Sequence, residues 1–311
     1  MVSKLSFKSA HLIILLGPTG VGKSRTAIKL ARIFQGEIIN CDSMQVYRGF
    51  DIGTDKLLPG ERENIPHHLL DIWDPSSQFT AADFVRLALQ AVSAIHYKNH
   101  LPFITGGTGL YLKALVDGLF PEGKKDLHIR QQLEDQAARE GLEPLWERLK
   151  EVDQEYALKI GAHDRIRIIR ALEVFLASGK SLSQHFKDTR SFVADFNLIQ
   201  IGLKLEREIL YQRIEDRVER MFAQGMVQEV EKLLQEGVNE DAPPFRALGY
   251  KQVLRYLKKE IDLEETISLT KRDTRHYAKR QMTWFRKMKD IRWFSSQEIG
   301  EMTEFIHHRM K

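Results

Sequence analysis

Leu12-Ile13-Ile14-Leu15-Leu16, then Gly17-Pro18-Thr19-Gly20-Val21-Gly22-Lys23-Ser24, then an amphipathic stretch from Thr26 to Phe34: this succession decides the fold. The middle eight residues fit the phosphate-binding pattern G-x-x-x-x-G-K-[ST] without a mismatch. The apolar run before them reads as a buried strand and the periodic stretch after them as a helix, the setting in which the pattern has a mechanism. Loop N–H groups and the N-terminus of the helix make a concave anion site. Lys23 would reach a terminal phosphate, and the Ser24 hydroxyl would ligate Mg²⁺.

Working outward, residues 11–118 alternate between strand and helix. Strands are expected at 12–16, 37–41 and 101–105, and helices at 23–35, 80–98 and 108–116. That alternation predicts a parallel sheet covered on both faces. From about 126 to 190 the character changes to charged helical segments punctuated by Gly141, Gly161 and Gly179. Strand character returns at 197–204, followed by a long helix over Arg207 to Gln235, a break at Pro243-Pro244, and helices over 245–260 and 262–289. The expected fold class is α/β: a P-loop NTPase-like parallel sheet flanked by helices, with a mainly helical insertion. The core comprises 1–119 and 196–311 and the insertion 120–195.

The pattern leaves open whether the bound phosphate is transferred, hydrolysed or discarded. Proteins of this kind that split ATP place a metal-holding acid at the end of a second strand. Here Leu101-Pro102-Phe103-Ile104 runs into Thr105-Gly106-Gly107-Thr108, and Leu198-Ile199-Gln200-Ile201-Gly202-Leu203 has no carboxylate. The acid at a strand exit near the loop is Asp42, after Glu37-Ile38-Ile39-Asn40-Cys41. A motor or GTPase reading weakens, and a small-molecule transferase or kinase reading gains.

The chain has 311 residues, 42% hydrophobic and 29% charged, the composition of a globular protein with room for about two domains. Its one cysteine, Cys41, rules out a disulfide framework and a thiolate zinc cluster within one chain. Met1-Val2-Ser3-Lys4-Leu5 with the apolar run after it faintly resembles a signal peptide, but that run is too short and leads into the phosphate loop. A cytoplasmic protein without membrane contact is expected, and a monomer. The net charge of +4 conceals a basic stretch: residues 271–293 carry +7, leaving about −3 for the rest. Such local basicity points to a polyanion meeting one surface.

Several constellations could carry chemistry. Asp42 could orient or deprotonate an amine or hydroxyl nucleophile, or, more simply, contact a metal through water or cap a helix. Gly106-Gly107-Thr108-Gly109-Leu110-Tyr111 could offer N–H groups and the Thr108 hydroxyl to an anion or a base edge. Arg213 and Arg217 share a helix face, and one could clamp a diphosphate. The segments His163-Asp164-Arg165-Ile166-Arg167-Ile168-Ile169-Arg170 and Thr274 to Arg286 could contact nucleic acid. In the second, the charges are expected to bind while Trp284 and Phe285 belong to the core. His67-His68 and His307-His308 lack metal-ligand spacing and are expected in loops or on the surface.

Taken together, these segments resemble the tRNA dimethylallyltransferase family, also called tRNA isopentenyltransferases, in its bacterial form. The resemblance rests on Gly17-Pro18-Thr19 with Gly22-Lys23-Ser24, Asp42-Ser43-Met44-Gln45-Val46-Tyr47 and Asp51-Ile52-Gly53-Thr54. It continues through Gly106 to Tyr111, Arg170-Ala171-Leu172-Glu173-Val174, Leu248-Gly249-Tyr250 and Lys279 to Phe285. Ser24 stands where many members have Thr, Leu248 where Ile or Val is usual, and the zinc finger of eukaryotic members is absent. The resemblance implies transfer of a dimethylallyl group from dimethylallyl diphosphate, with Mg²⁺, to N6 of the adenine just 3′ of the anticodon in tRNA. By that resemblance Gly17, Pro18, Thr19, Gly20, Val21, Gly22, Lys23 and Ser24 would hold the diphosphate, with Ser24 at the metal. Asp42, Thr108 and Arg217 would be catalytic. The anticodon stem-loop would meet Asp42, Ser43, Met44, Gln45 and Thr108, with Arg130 and Ile166-Arg167-Ile168-Ile169-Arg170. It would also meet Arg246-Ala247-Leu248-Gly249-Tyr250-Lys251 and Lys279-Arg280-Gln281-Met282-Thr283-Trp284-Phe285-Arg286. A metabolite kinase would leave the basic stretch unexplained, and a non-catalytic RNA-binding switch would leave Asp42 without a use.

Overall fold

The computed structural model describes residues 10–119 and 127–311. Met1 to Leu5 and the expected start of the insertion at 120 lie outside them. The chain divides into two compact units, Met1–Ala114 with Val193–Lys311, and Leu115–Phe192.

The first unit is built on a six-stranded sheet: β1 (His11–Leu16), β2 (Gly36–Cys41), β3 (His67–His68), β4 (Leu101–Gly106), β5 (Asn197–Lys204) and β6 (Ile291–Ser295). Every pairing is parallel, and the spatial order is β3-β2-β4-β1-β5-β6. Leu12 through Leu16 are wholly buried, as an unbroken apolar run must be when helices cover both faces of a parallel sheet. Register then places the future site. Leu16 lies opposite both Gly106 and Gly202, and Cys41 opposite Gly106, so β1, β2 and β4 end level with one another while β5 runs two residues further, to Lys204. Ligands of open α/β sheets bind at those carboxyl ends.

The helices around this sheet are α1 (Lys23–Ile33), α2 (Ala81–Tyr97) and the start of α3 (Gly109–Asp117). After β5 come α9 (Arg207–Ala223), α10 (Met226–Gln235), α11 (Tyr250–Leu257), α12 (Leu263–Phe285) and α13 (Ile299–Met310). The second unit holds α4 (Leu127–Glu140), α5 (Glu143–Val152), α6 (Gln154–Lys159), α7 (Arg165–Ser178) and α8 (Leu182–Asp188). Its core is Leu133, Leu145, Leu149, Ile168, Ile169 and Leu172 with their neighbours. Asp153, Asp164 and Ser181 accept the N–H groups of Tyr156, Arg167 and Gln184 at the starts of α6, α7 and α8.

Four expectations need correction. The helix expected over Arg207 to Gln235 is two helices, because Gly225 takes φ 100° and no right-handed helix continues through it. The stretch 245–260 is helical only over Tyr250–Leu257, after a single 3₁₀ turn at Pro243–Arg246. The helix expected to 289 ends at Phe285, and the residues beyond it form β6. His67-His68 is not loop but a two-residue edge strand beside Ile38 and Ile39. His68 Nε2 lies 2.7 Å from Glu37, whose buried carboxylate also bonds Lys98 and His100. Burial pushes that carboxyl up, but its bonds to His68, His100 and Lys98 outweigh the push and hold it near about 2.

Candidate active site

The phosphate loop leaves the end of β1 and closes into the first turn of α1. Gly22 sits at φ 101° where that turn begins, a left-handed conformation that favours glycine. Lys23 folds back over the loop, and its Nζ donates to the Pro18 carbonyl at 2.9 Å. Burial lowers its pKa; Asp42 draws it up again, Arg217 pushes it down, and it comes to rest at about 8. Two titratable neighbours named by sequence therefore reach the same ammonium group from different elements.

Thr19 is held from two sides. Its N–H donates to Gln281 Oε1 at 2.8 Å, and its Oγ1 accepts from Arg217 at 2.7 Å. Arg217, mostly buried on α9, also pairs with Asp55 at 3.3 Å. Arg213, one turn away, has no ion pair among the described residues, so the clamp geometry belongs to Arg217.

Asp42 follows β2 directly. Its Oδ1 accepts from the N–H of Met44 at 2.8 Å and of Gln45 at 3.4 Å, which folds Ser43 to Gln45 back over the strand end. The Ser43 N–H donates to Thr108 Oγ1 at 3.0 Å, so Thr108 is bonded to the residue that follows Asp42 in the chain. Gln45 Nε2 donates to the Thr54 carbonyl at 3.0 Å and so ties this turn to Asp51-Ile52-Gly53-Thr54. The glycine-rich turn after β4 offers less to an anion than expected, because the Thr108 N–H is taken by the Cys41 carbonyl at 3.3 Å. Its glycines make room instead: a Cβ on Gly109 would meet the Trp284 ring at 2.6 Å.

The Asp51-Ile52-Gly53 segment is fastened by a residue that sequence reading did not single out. Glu229 of α10 accepts from the N–H groups of Asp51, Ile52 and Gly53 at 3.1, 2.7 and 3.3 Å, and from Tyr250 Oη at 2.6 Å. Glu229→Ala should cost about 2–4 kcal/mol of stability, because it strands several polar groups at once. Urea unfolding would measure it, and a loss under about 0.5 kcal/mol would show that water replaces the carboxylate freely.

The basic stretch is not uniform. Lys271, Arg272 and Arg275 are neutralised by Glu219, Asp273 and Glu215. Lys279, Arg280, Arg286, Lys287 and Lys289 are exposed and have no ion pair among the described residues. The opposite face of α12 buries Thr266, Thr270, Thr274, Ala278, Gln281 and Phe285. Phe285 is core, as expected; Trp284 is half-buried, Met282 half-buried and Thr283 exposed.

Several residues expected at the RNA are core residues, and that expectation is corrected for their side chains. Ile168 and Ile169 are fully buried in the second unit, whereas Ile166 is 73% exposed. In the same unit Arg130 faces Glu134 and Glu173, Arg167 faces Asp164, and Arg170 lies 3.0 Å from Glu173. Tyr250 is buried against Phe50 and Phe245, and the Gly249 N–H donates to Gln252. Arg246 is exposed, Ala247 and Leu248 are half-buried, and Lys251 pairs with Asp273 at 3.3 Å.

The family model described as IPP transferase matches residues 45–288. This chain belongs to the IPP transferase family. The "tRNA dimethylallyltransferase 2" of Geotalea uraniireducens (strain Rf4) is 48% identical over 288 residues, covering 92% of this chain and 93% of its own. The crystal structure of the full-length tRNA isopentenylpyrophosphate transferase of Bacillus halodurans matches with a TM-score of 0.72 at 39% identity, over 96% of each chain. A eukaryotic dimethylallyltransferase acting on tRNA matches with a TM-score of 0.81 at 30% identity, over 97% of this chain and 77% of that one. The α/β sheet of this IPP transferase is thus the sheet of its relatives. Among its described residues no helix is long and apolar enough to cross a membrane.

Proposed function

We propose that the protein transfers a dimethylallyl group from dimethylallyl diphosphate to N6 of the adenine just 3′ of the anticodon in tRNA and releases diphosphate. The observation that carries this is the pairing of a complete phosphate loop after β1 with Asp42 at the exit of β2, one strand beyond β4 and at the same level of the sheet. The strands flanking β1 end in Gly106 and Lys204, which hold no metal for nucleotide cleavage. A loop so equipped suits a diphosphate that departs, since no water has to be activated.

As the C–O bond of an allylic diphosphate breaks, negative charge grows on the departing oxygens. The Lys23 ammonium, bonded to the Pro18 carbonyl, the Arg217 guanidinium, bonded to the Thr19 hydroxyl, and loop N–H groups would stabilise that charge. The new bond forms between the adenine nitrogen and the allylic carbon, and the amine proton passes to the Asp42 carboxylate. Thr108, which holds Ser43, keeps that turn in place.

A magnesium ion fits the donors present. Among the described residues no cluster of three or more His, Cys, Asp or Glu could hold a metal, whereas the Ser24 hydroxyl stands at the start of α1 without a hydrogen bond. Mg²⁺ is bound in this way elsewhere, by few protein oxygens together with substrate phosphates and water. When bound it would neutralise charge on the diphosphate.

An adenine within a stack cannot reach such a pocket, so the base must be turned out of the anticodon loop. Lys279, Arg280 and Arg286, without an ion pair among the described residues, would hold RNA phosphates; by the same resemblance Arg130, Arg167 and Arg170 of the helical unit are proposed RNA contacts in their own right. Neutralising Lys279 and Arg280 together should weaken tRNA binding and lower the slope of log affinity against log salt by about 1.4–1.8. A filter-binding titration in salt measures this, and an unchanged slope would remove these residues from the interface.

Incubation with radiolabelled dimethylallyl diphosphate, tRNA and Mg²⁺, without ATP, tests the function directly. Label in tRNA is expected. ATP-dependent phosphorylation of a small acceptor, with no label in tRNA, would replace the proposal with a kinase.

A further inference from the structure

Gln281 belongs to a stretch whose resemblance implies RNA contact, yet it points the other way. It is 6% exposed, and both ends of its amide are occupied. Oε1 accepts the Thr19 N–H at 2.8 Å, and Nε2 donates to the Gly107 carbonyl at 2.8 Å. These partners lie on the phosphate loop after β1 and the glycine turn after β4, and Gln281 reaches them from α12. A Cβ on Gly107 would overlap the Gln281 amide nitrogen and push it off the Gly107 carbonyl. Three residues on, Trp284 packs over Gly109 of the same turn, so α12 seats on it at two consecutive inward positions.

We infer that Gln281 is a positioning residue for the diphosphate site: its amide sets the conformation of Thr19 and, with Arg217, fixes the loop before substrate arrives. The inference rests on the proposed reading of that loop as a diphosphate cradle. The physical basis is the two-sided restraint of Thr19. Its hydroxyl is oriented from α9 and its N–H from α12, so neither group is free to swing. Without the amide, the Thr19 N–H and the Gly107 carbonyl lose their partners, and the loop must reorganise each time it binds an anion. Lys279 and Arg280 on the exposed side of the helix keep their setting, so RNA affinity and diphosphate affinity separate.

The test uses the full chain with inorganic diphosphate and Mg²⁺ as the binding probe, tRNA alone as the second ligand, and steady-state kinetics. Gln281→Met keeps the volume and removes both hydrogen bonds. It should raise the diphosphate Kd and the KM for dimethylallyl diphosphate about tenfold, change kcat less, and leave tRNA affinity within about twofold. Gln281→Glu supplies the rescue. Its protonated form again offers one donor and one acceptor, and an ordinary glutamate takes up its proton at about pH 4.3, so its affinity relative to wild type should recover as pH is lowered from about 7 toward about 4.5, while that of Gln281→Met should not. If Gln281→Met does not fold, the pH response of Gln281→Glu decides alone. Wild-type diphosphate affinity in Gln281→Met, or a loss confined to tRNA binding, would overturn the inference. A wild-type protein that binds no diphosphate would instead sink the cradle reading beneath it.

Discussion

Lys23→Ala should lower kcat/KM for dimethylallyl diphosphate by about 10²- to 10³-fold, the scale on which a single preorganised group facing developing negative charge contributes. The ammonium is held over the loop by the Pro18 carbonyl, and the Asp42 charge favours its protonated form, so it needs little reorganisation when the C–O bond lengthens. The same substitution should barely alter stability, since it removes a half-buried charge and one hydrogen bond to a backbone oxygen. The pH dependence gives a second reading of the same group. Burial brings the Lys23 pKa down to about 8, so the side chain is charged below that pH and neutral above it. Wild-type kcat/KM should therefore fall as pH rises through about 8, because that ratio reports the free enzyme. Lys23→Ala should lose this limb of the profile. A variant within threefold of wild type, or one that keeps the alkaline limb, would remove Lys23 from the chemistry.

How much of this site could be read from sequence follows from how each part is encoded. β1, β2, β4 and β5 were legible because buried parallel strands are continuous apolar runs with turn residues at their ends. The phosphate loop was legible because its eight positions are local. Register then did what no local pattern can: it set Gly17, Asp42 and Gly107 at one level. β3 was missed because two histidines carry no strand signal, and their backbone is recruited by Ile38 and Ile39. β6 was hidden at the end of the basic stretch, because its five residues bury Phe294 and expose Arg292 on the same parity and so carry no period of two. The break at Gly225 was passed over because an isolated glycine is tolerated in a helical pattern. Gln281 was legible only as part of a motif expected at the RNA, with no sign of its bonds to Thr19 and Gly107, and Glu229 left no signal at all. The bond from Thr19 to Gln281 spans 262 residues of sequence, and the Glu229 contacts with Asp51 to Gly53 span up to 178. Such restraints arise only from the packing of α10 and α12 against the loops at the strand ends.

Asp42→Asn separates the two tasks that the Asp42 side chain performs. In the native protein Oδ1 accepts from the Met44 and Gln45 N–H groups, and that task defines the turn carrying Ser43. An asparagine Oδ1 accepts those two bonds equally well, so the turn, the Ser43 to Thr108 bond and the fold should survive. What asparagine cannot do is take a proton from an attacking amine. The variant should bind tRNA and inorganic diphosphate with affinities near wild type while kcat falls by about 10²- to 10⁴-fold, the usual range for loss of a positioned general base. Asp42→Ala should add a structural penalty, seen as a lower Tm, because it leaves the Met44 and Gln45 N–H groups without their acceptor. The decisive measurement is single-turnover transfer with saturating tRNA and dimethylallyl diphosphate. If Asp42→Asn turns over at the wild-type rate, the carboxylate is only the anchor of its turn. The simpler reading open from sequence, a residue that caps local structure, would then be the right one.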